Sequence, residues 1–239
     1  MANIIDDLGY NQIFKASLAM EVRTRRRAAA IVSQMQGENL NVLEIGCGSG
    51  ELSFFISDML GEAAKVIGID ICESFILKAQ KKYQLPNLDF MVFDFKQAKQ
   101  IGKQKFDYVV GNGMLHHFYY ELDEALANIK WLLKPGGKII FFEPNLLNPY
   151  CYLIFNTTQW MRHLAKLDPN EMAFSKKFIN KHLTSADFKN IRIAYRDFLL
   201  PNTPAILIKP LCFIGAILEK IPFLNCLSQS LLVSGASKH

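Results

Sequence analysis

Asn41-Val-Leu-Glu-Ile-Gly-Cys-Gly-Ser-Gly50 is the stretch on which the reading of this chain turns. Strand-compatible residues run into Gly46, Gly48 and Gly50. Glu51-Leu-Ser-Phe-Phe-Ile-Ser-Asp-Met-Leu60 then has helical character. Strand, tight turn and helix open an α/β unit. Glycine suits the turn because the backbone must bend sharply and let a ligand approach with no Cβ in the way. The free amides at the helix start can bond a carboxylate or phosphate. Counted from Gly46, the spacing is G-x-G-x-G, whereas the dinucleotide fingerprint needs its third glycine one place later.

Lys65-Val-Ile-Gly-Ile-Asp70 reads as a second strand that ends on an acid, a little over twenty residues past the glycine turn. Nucleotide-binding α/β units place an acid there to accept ribose hydroxyls; the plainer reading of Asp70 is a helix cap. Phe75 to Tyr83 reads as a basic amphipathic helix closed by Pro86, and Leu88 to Asp94 as a third strand. Phe106 to Gly111 is a fourth strand, followed by Asn112-Gly-Met-Leu-His-His-Phe118. Leu122, Leu126, Ile129 and Leu133 share one helical face. Lys134-Pro-Gly-Gly137 stops that helix before a fifth strand, Lys138 to Glu143. Ile191 to Phe198 and Ser230 to Gly235 read as the last two strands.

In that order, the glycine loop, Asp70, the FDYVVGNGMLHH run and LLKPGGK resemble the landmarks of the class I S-adenosylmethionine-dependent methyltransferases. The resemblance covers residues 41–145. It implies a Rossmann-like, seven-stranded, mostly parallel sheet with one antiparallel strand and helices on both faces. It implies S-adenosylmethionine as cofactor, bound by Glu44, Gly46, Cys47, Gly48 and Gly50. Asp70 would take the ribose, Ile71 would flank the adenine, Asp94 and Phe95 would lie near its amine, and Asn112 would follow the fourth strand. The sequence lacks the (D/N)-P-P-(Y/F) signature of amino-methyltransferases acting on nucleic-acid bases. His117 and Glu143, with His116 beside them, are the candidate proton acceptors. The adjacent histidines point differently and cannot both serve one proton; bracing the turn is their other reading.

The chain has 239 residues, 50% of them hydrophobic, enough for one large α/β domain over 1–239. A net charge of +5 suits an anionic surface or substrate and is too weak to argue for nucleic acid. Five scattered cysteines without C-x-x-C spacing point to reduced thiols, no disulfide framework and no metal site, hence a cytoplasmic protein. Met1-Ala-Asn-Ile-Ile-Asp-Asp is acidic and has no signal-peptide character. Residues 1–40 read as an N-terminal helical segment carrying Arg23-Thr-Arg-Arg-Arg27, either a solvated face or a phosphate contact.

Two late segments, 146–185 and 199–227, read as insertions that cover the acceptor and meet over the site. Asn148 to Phe155, within 146–185, is apolar and aromatic; His163 to Asn170 is a polar connector, and Ser175 caps a further helix. Residues 199–227 are apolar but broken by Pro204, Pro210 and Pro222, and Lys209, Glu219 and Lys220 keep them from spanning a bilayer. They read either as a buried lid or as a membrane-interface segment. Together these features favour a methyltransferase acting on a small or lipid-like acceptor, such as a lipid-linked glycan or an isoprenoid quinone, at the inner face of a membrane. The alternative is a catalytically silent S-adenosylmethionine-binding protein working in an assembly.

Overall fold

The computed structural model describes residues 17–101, 105–156, 162, 167 and 170–238. The acidic start Met1–Asp7 and most of the 163–170 connector lie outside the described residues. The elements, in chain order, are α1 (Leu18–Val32), β1 (Leu40–Ile45), α2 (Glu51–Leu60), β2 (Ala64–Asp70), α3 (Glu73–Lys82) and β3 (Leu88–Val92). There follow β4 (Phe106–Asn112), α4 (Leu122–Leu132), β5 (Leu133–Pro144), α5 (Pro149–Asn156) and α6 (Lys176–Ser185). Last come β6 (Phe188–Arg196), α7 (Ala205–Leu218) and β7 (Ser230–Ser237).

The seven strands form one sheet in the order β3-β2-β1-β4-β5-β7-β6. β7 runs antiparallel to both β5 and β6, and the remaining pairs are parallel. This is the Rossmann-like arrangement, with the chain reversing direction across the sheet between β1 and β4. Ligands bind at the carboxyl ends of the strands at such a reversal.

Alternation along the strands sorts the core into two layers. Leu43, Ile45, Val109, Ile139 and Phe141 face α4 and α6. Val42, Val66, Tyr108, Val110 and Phe142 face α1, α2 and α3. Phe141 and Phe174 are fully buried, and each such side chain contributes roughly 1.5–3 kcal/mol on leaving water. Ser17 caps α1 by accepting the Met20 N–H (3.1 Å), and Ser175 caps α6 by accepting that of Phe178 (3.2 Å).

Some boundaries differ from the sequence reading. β5 begins at Leu133, so Lys134-Pro-Gly-Gly137 lies within the strand as an irregularity, with Gly136 at φ +75° and a register shift against β4. β6 begins at Phe188, earlier than Ile191, because a bulge with Asn190 at φ +52° lets both halves pair with β7. Most of the proline-broken segment is helical. Pro210 sits inside α7, tolerated on a helix that is largely solvent-exposed.

Candidate active site

The glycine loop joins β1 to α2. Gly46, Gly48 and Gly50 all have left-handed backbone, at φ +68°, +51° and +83°. Their surroundings differ. A Cβ on Gly46 would lie 2.8 Å from the Met114 side chain, and one on Gly50 would lie 2.6 Å from the Phe90 ring. A Cβ on Gly48 would meet nothing within 4 Å. The protein's own packing therefore excludes side chains at two positions, while the middle one borders open space.

Asp70 ties this loop to the end of β2. Its Oδ2 accepts the Gly48 N–H (2.8 Å) and its Oδ1 the Cys72 N–H (2.9 Å). Each carboxylate oxygen has a further lone pair for a ribose hydroxyl. Ile71 next to it is 37% exposed, which leaves an apolar face for a flat ring. The open space at Gly48, the acid beside it and the exposed Ile71 fit an adenosyl group.

Other sequence-derived residues face elsewhere. The Cys47 side chain is buried under the sheet, its N–H bonds to the Ile69 carbonyl (3.0 Å), and burial pushes its thiol far up. Glu44 is buried and accepts the Ser53 hydroxyl of α2; burial pushes its carboxyl up to about 8. Asp94 accepts the Lys96 N–H (2.9 Å) in a turn. Phe95 is core, edge-on to Phe118 at 5.1 Å, so any contact it makes with a cofactor is through its backbone.

At the end of β4 the chain turns into a short 3-10 helix, Leu115–Glu121. Glu143 of β5 lies beneath that turn, 1% exposed. Its carboxylate accepts the N–H groups of Met114 (3.1 Å), Leu115 (2.8 Å) and His116 (3.2 Å), and lies 3.1 Å from His116 Nδ1. These amides have no carbonyl partner at a helix start, so the carboxylate serves as their cap. Burial lowers the pKa of His116, with His117 adding to the effect, although the Glu143 bond opposes it. The imidazole is therefore neutral near pH 7, Nδ1–H toward Glu143 and Nε2 carrying the lone pair. A Cβ on Gly113 would sit 3.5 Å from His116 Cε1, so the ring edge lies against the loop after β4. His117 projects outward, its side chain 39% exposed, with Nδ1 2.8 Å from buried Glu171.

The arginine run behaves differently from either sequence reading. Arg25 and Arg26 are exposed, while Arg23 and Arg27 turn inward. Arg27, 6% exposed, pairs with Asp197 (2.7 Å), donates to Asn112 Oδ1 and Ser230 Oγ, and lies over the Phe142 ring at 4.9 Å. Arg23 also pairs with Asp197 (2.7 Å). Burial alone would raise the Asp197 pKa, but the two guanidiniums outweigh it and hold the carboxyl below its usual range. One arginine thus links α1, β4 and β7, and it occupies the Asn112 oxygen. Sequence reasoning missed Asp197. The available signal was spacing: Arg23 and Arg27 are four residues apart, on one face of a helix whose next turn holds buried Ile31.

The two segments expected to cover the site meet at their bases. Asn145 Nδ2 donates to the carbonyls of Cys226 (2.8 Å) and Ser228 (2.7 Å), and Asn148 Nδ2 to that of Leu227 (2.6 Å). α7 itself packs on α1 through Ile208, Ala19 and Leu199. Two surface depressions, one beside Tyr83 and Phe90 and one beside Lys176 and Ile193, are not lined by residues of the glycine loop.

A family model described as "Methyltransferase domain" matches residues 36–198, and the chain belongs to that family. S-adenosylmethionine is the cofactor of these enzymes. A demethylmenaquinone methyltransferase of Oceanobacillus iheyensis is 25% identical over 62% of this chain and 71% of its own length. The aklanonic acid methyltransferase DauC of a Streptomyces strain is 34% identical over 50% of this chain and 54% of its own length. The chain spans only 5% of a highly reducing polyketide synthase of a Dothideomycetidae fungus, to which it is 35% identical. Among solved structures, an S-adenosylmethionine-dependent methyltransferase from Archaeoglobus fulgidus aligns over 95% of this chain and 97% of its own. Its TM-score is 0.64 at 18% identity, a likeness of fold.

Proposed function

We propose that this chain methylates a small apolar or lipid-like acceptor, of the kind represented by isoprenoid quinones or lipid-linked glycans, from the cytoplasmic side of a membrane. The carrying observation is the apolar surface of α5 and α7 at the carboxyl edge, with Tyr152, Leu153, Ile206 and Phe213 all at least half exposed. The relative named for demethylmenaquinone supports the quinone class.

Bound S-adenosylmethionine supplies a methyl group on a sulfonium, whose loss leaves a neutral thioether. The chain's tasks are to hold, orient and deprotonate. Gly48 leaves room beside the loop and Asp70 presents its remaining lone pairs to the ribose. Glu143 positions His116 by accepting from Nδ1–H. His116 Nε2 is the site that takes a proton from a hydroxyl or an acidic C–H of the acceptor. Glu171 orients the more exposed His117 at the rim.

The test is turnover to S-adenosylhomocysteine with a panel of quinone-like, lipid-linked and water-soluble polar acceptors. We expect turnover on apolar acceptors and a fall in kcat, at preserved cofactor affinity, for His116→Gln. Turnover confined to polar acceptors refutes the acceptor class. Cofactor binding with no turnover across the panel favours the silent binding protein.

A further inference from the structure

We infer that α7 and the turn after it form a docking face for an anionic bilayer surface. The inference deepens the lipid-like acceptor reading, on which it rests for its purpose but not for its evidence. Ile206, Phe213 and Phe223 are 84%, 70% and 90% exposed. Only Ile208 and Gly215 of the fourteen α7 residues are buried. Isolated exposed apolar side chains are ordinary, whereas a contiguous set on one element marks an interaction surface.

Length decides how a membrane would be met. Fourteen residues extend about 21 Å as a helix, short of the roughly 30 Å hydrocarbon core. No helix among the described residues is long and apolar enough to cross. α7 is therefore suited to lying in the interface, with its apolar side chains among the acyl chains. Tyr150 and Tyr152 on α5, which starts beside Asn148 and its bond to the Leu227 carbonyl, are both more than 40% exposed and of the type favoured at a membrane interface.

Charge selects the partner. Lys209 and Lys220 are exposed within the patch. The one carboxylate of the segment, Glu219, is turned inward: Oε2 pairs with Arg196 (2.7 Å) and Oε1 accepts the Asp197 N–H (2.8 Å). The face thus presents cations and apolar groups to anionic headgroups, and its acid is already occupied. A second copy of the chain fits poorly. A two-fold interface sets the same patch against itself, bringing lysines toward lysines with that acid engaged elsewhere. Asp197 also anchors Arg27, which reaches Asn112 and Ser230. A face built on the residues next to Asp197 therefore holds the carboxyl edge of the sheet close to the bilayer.

The probes are vesicles of phosphatidylglycerol mixed with phosphatidylcholine and vesicles of phosphatidylcholine alone, sedimented with the full chain. The wild type is expected to partition onto the anionic vesicles. Ile206→Ser/Phe213→Ser/Phe223→Ser should lower partitioning at least about tenfold, because three large apolar groups no longer enter the bilayer. Lys209→Gln/Lys220→Gln should weaken binding to anionic vesicles only. Calorimetric affinity for S-adenosylmethionine should be unchanged in both variants, which reports an intact fold. Three results overturn the inference: no vesicle binding by the wild type, equal binding by the triple variant, or a wild-type dimer that the triple variant converts to monomer. The acceptor reading fails separately, if vesicle-bound protein turns over only water-soluble acceptors, and that result leaves the docking face standing.

Discussion

Alanine at Gly48 and alanine at Gly50 should separate the cost of folding from the cost of binding. Both residues have left-handed backbone, so each substitution carries a conformational penalty of roughly 1–2 kcal/mol. At Gly50 the new Cβ also lands 2.6 Å from Phe90 and 2.8 Å from Ala79 Cβ. Overpacking of that kind costs about 1–3 kcal/mol more. Gly50→Ala should therefore lose about 2–5 kcal/mol of stability in urea denaturation. Gly48→Ala meets no protein atom within 4 Å and should lose only the backbone part. Its defect should appear in calorimetry with S-adenosylmethionine, as a loss of about five- to a hundred-fold if the methyl group enters the ligand's space. A folded Gly48→Ala protein with wild-type affinity would refute the assignment of that open space to the cofactor. Equal destabilisation by the two variants would refute the packing argument.

Asp70→Ala removes the acceptor of two backbone amides as well as the ribose partner. Cofactor affinity should fall at least about tenfold, since hydrogen bonds to charged groups are worth roughly 1.5–3 kcal/mol each; a ribose bound elsewhere in a cofactor complex would contradict this. Glu44 has a folded pKa of about 8, against an ordinary 4.5. Its contribution to stability is thus full below about pH 4.5 and is lost as pH rises through about 8. Glu44→Gln should flatten the pH dependence of stability across that window, and an unchanged profile would show that Glu44 is not the group responsible. Arg27→Met leaves buried Asp197 with Arg23 alone and should cost about 3 kcal/mol, near the lower end for a broken buried pair. Because the folded Asp197 pKa is depressed, its contribution is present above the ordinary aspartate range and lost as pH falls. The Arg27→Met melt should accordingly depend less on pH at the acid end than the wild type.

The sheet was legible because its central strands are near-continuous apolar runs, buried on both faces, and its turns carry glycine at places where the backbone needs it. Leu43 and Val109 announce one core layer, Val42 and Val110 the other. Asp70 was legible as the acid ending β2, but not its bond to Gly48, which depends on how the loop folds back. Arg23 and Arg27 were misread because a charge run looks solvated until its partner is known, and Asp197 lies 170 residues from Arg27. Glu143 stood out as an acid at the carboxyl edge. Its three amide partners sit on the turn after another strand, so pairing it with His116 required the alignment of β4 with β5. α7 escaped because its prolines read as breaks, although Pro204 precedes the helix as its cap position and Pro210 faces away from the core.

The position of β7 sets the order in which the sheet can be completed. β7 follows every other strand in the chain, yet it lies between β5 and β6. Until Ser230–Ser237 is in place, β6 has no strand to pair with and the outer side of β5 is open. Contacts made late and across long sequence separations slow folding, and open strand edges recruit other chains. During synthesis, β1 to β5 can assemble early, while β6 must wait as an unpaired ribbon for the segment behind it. The exposed apolar α7 emerges within that same interval, so the growing chain holds an adhesive surface and its open sheet edges at one time. Chaperone demand should therefore peak between the emergence of β6 and that of β7.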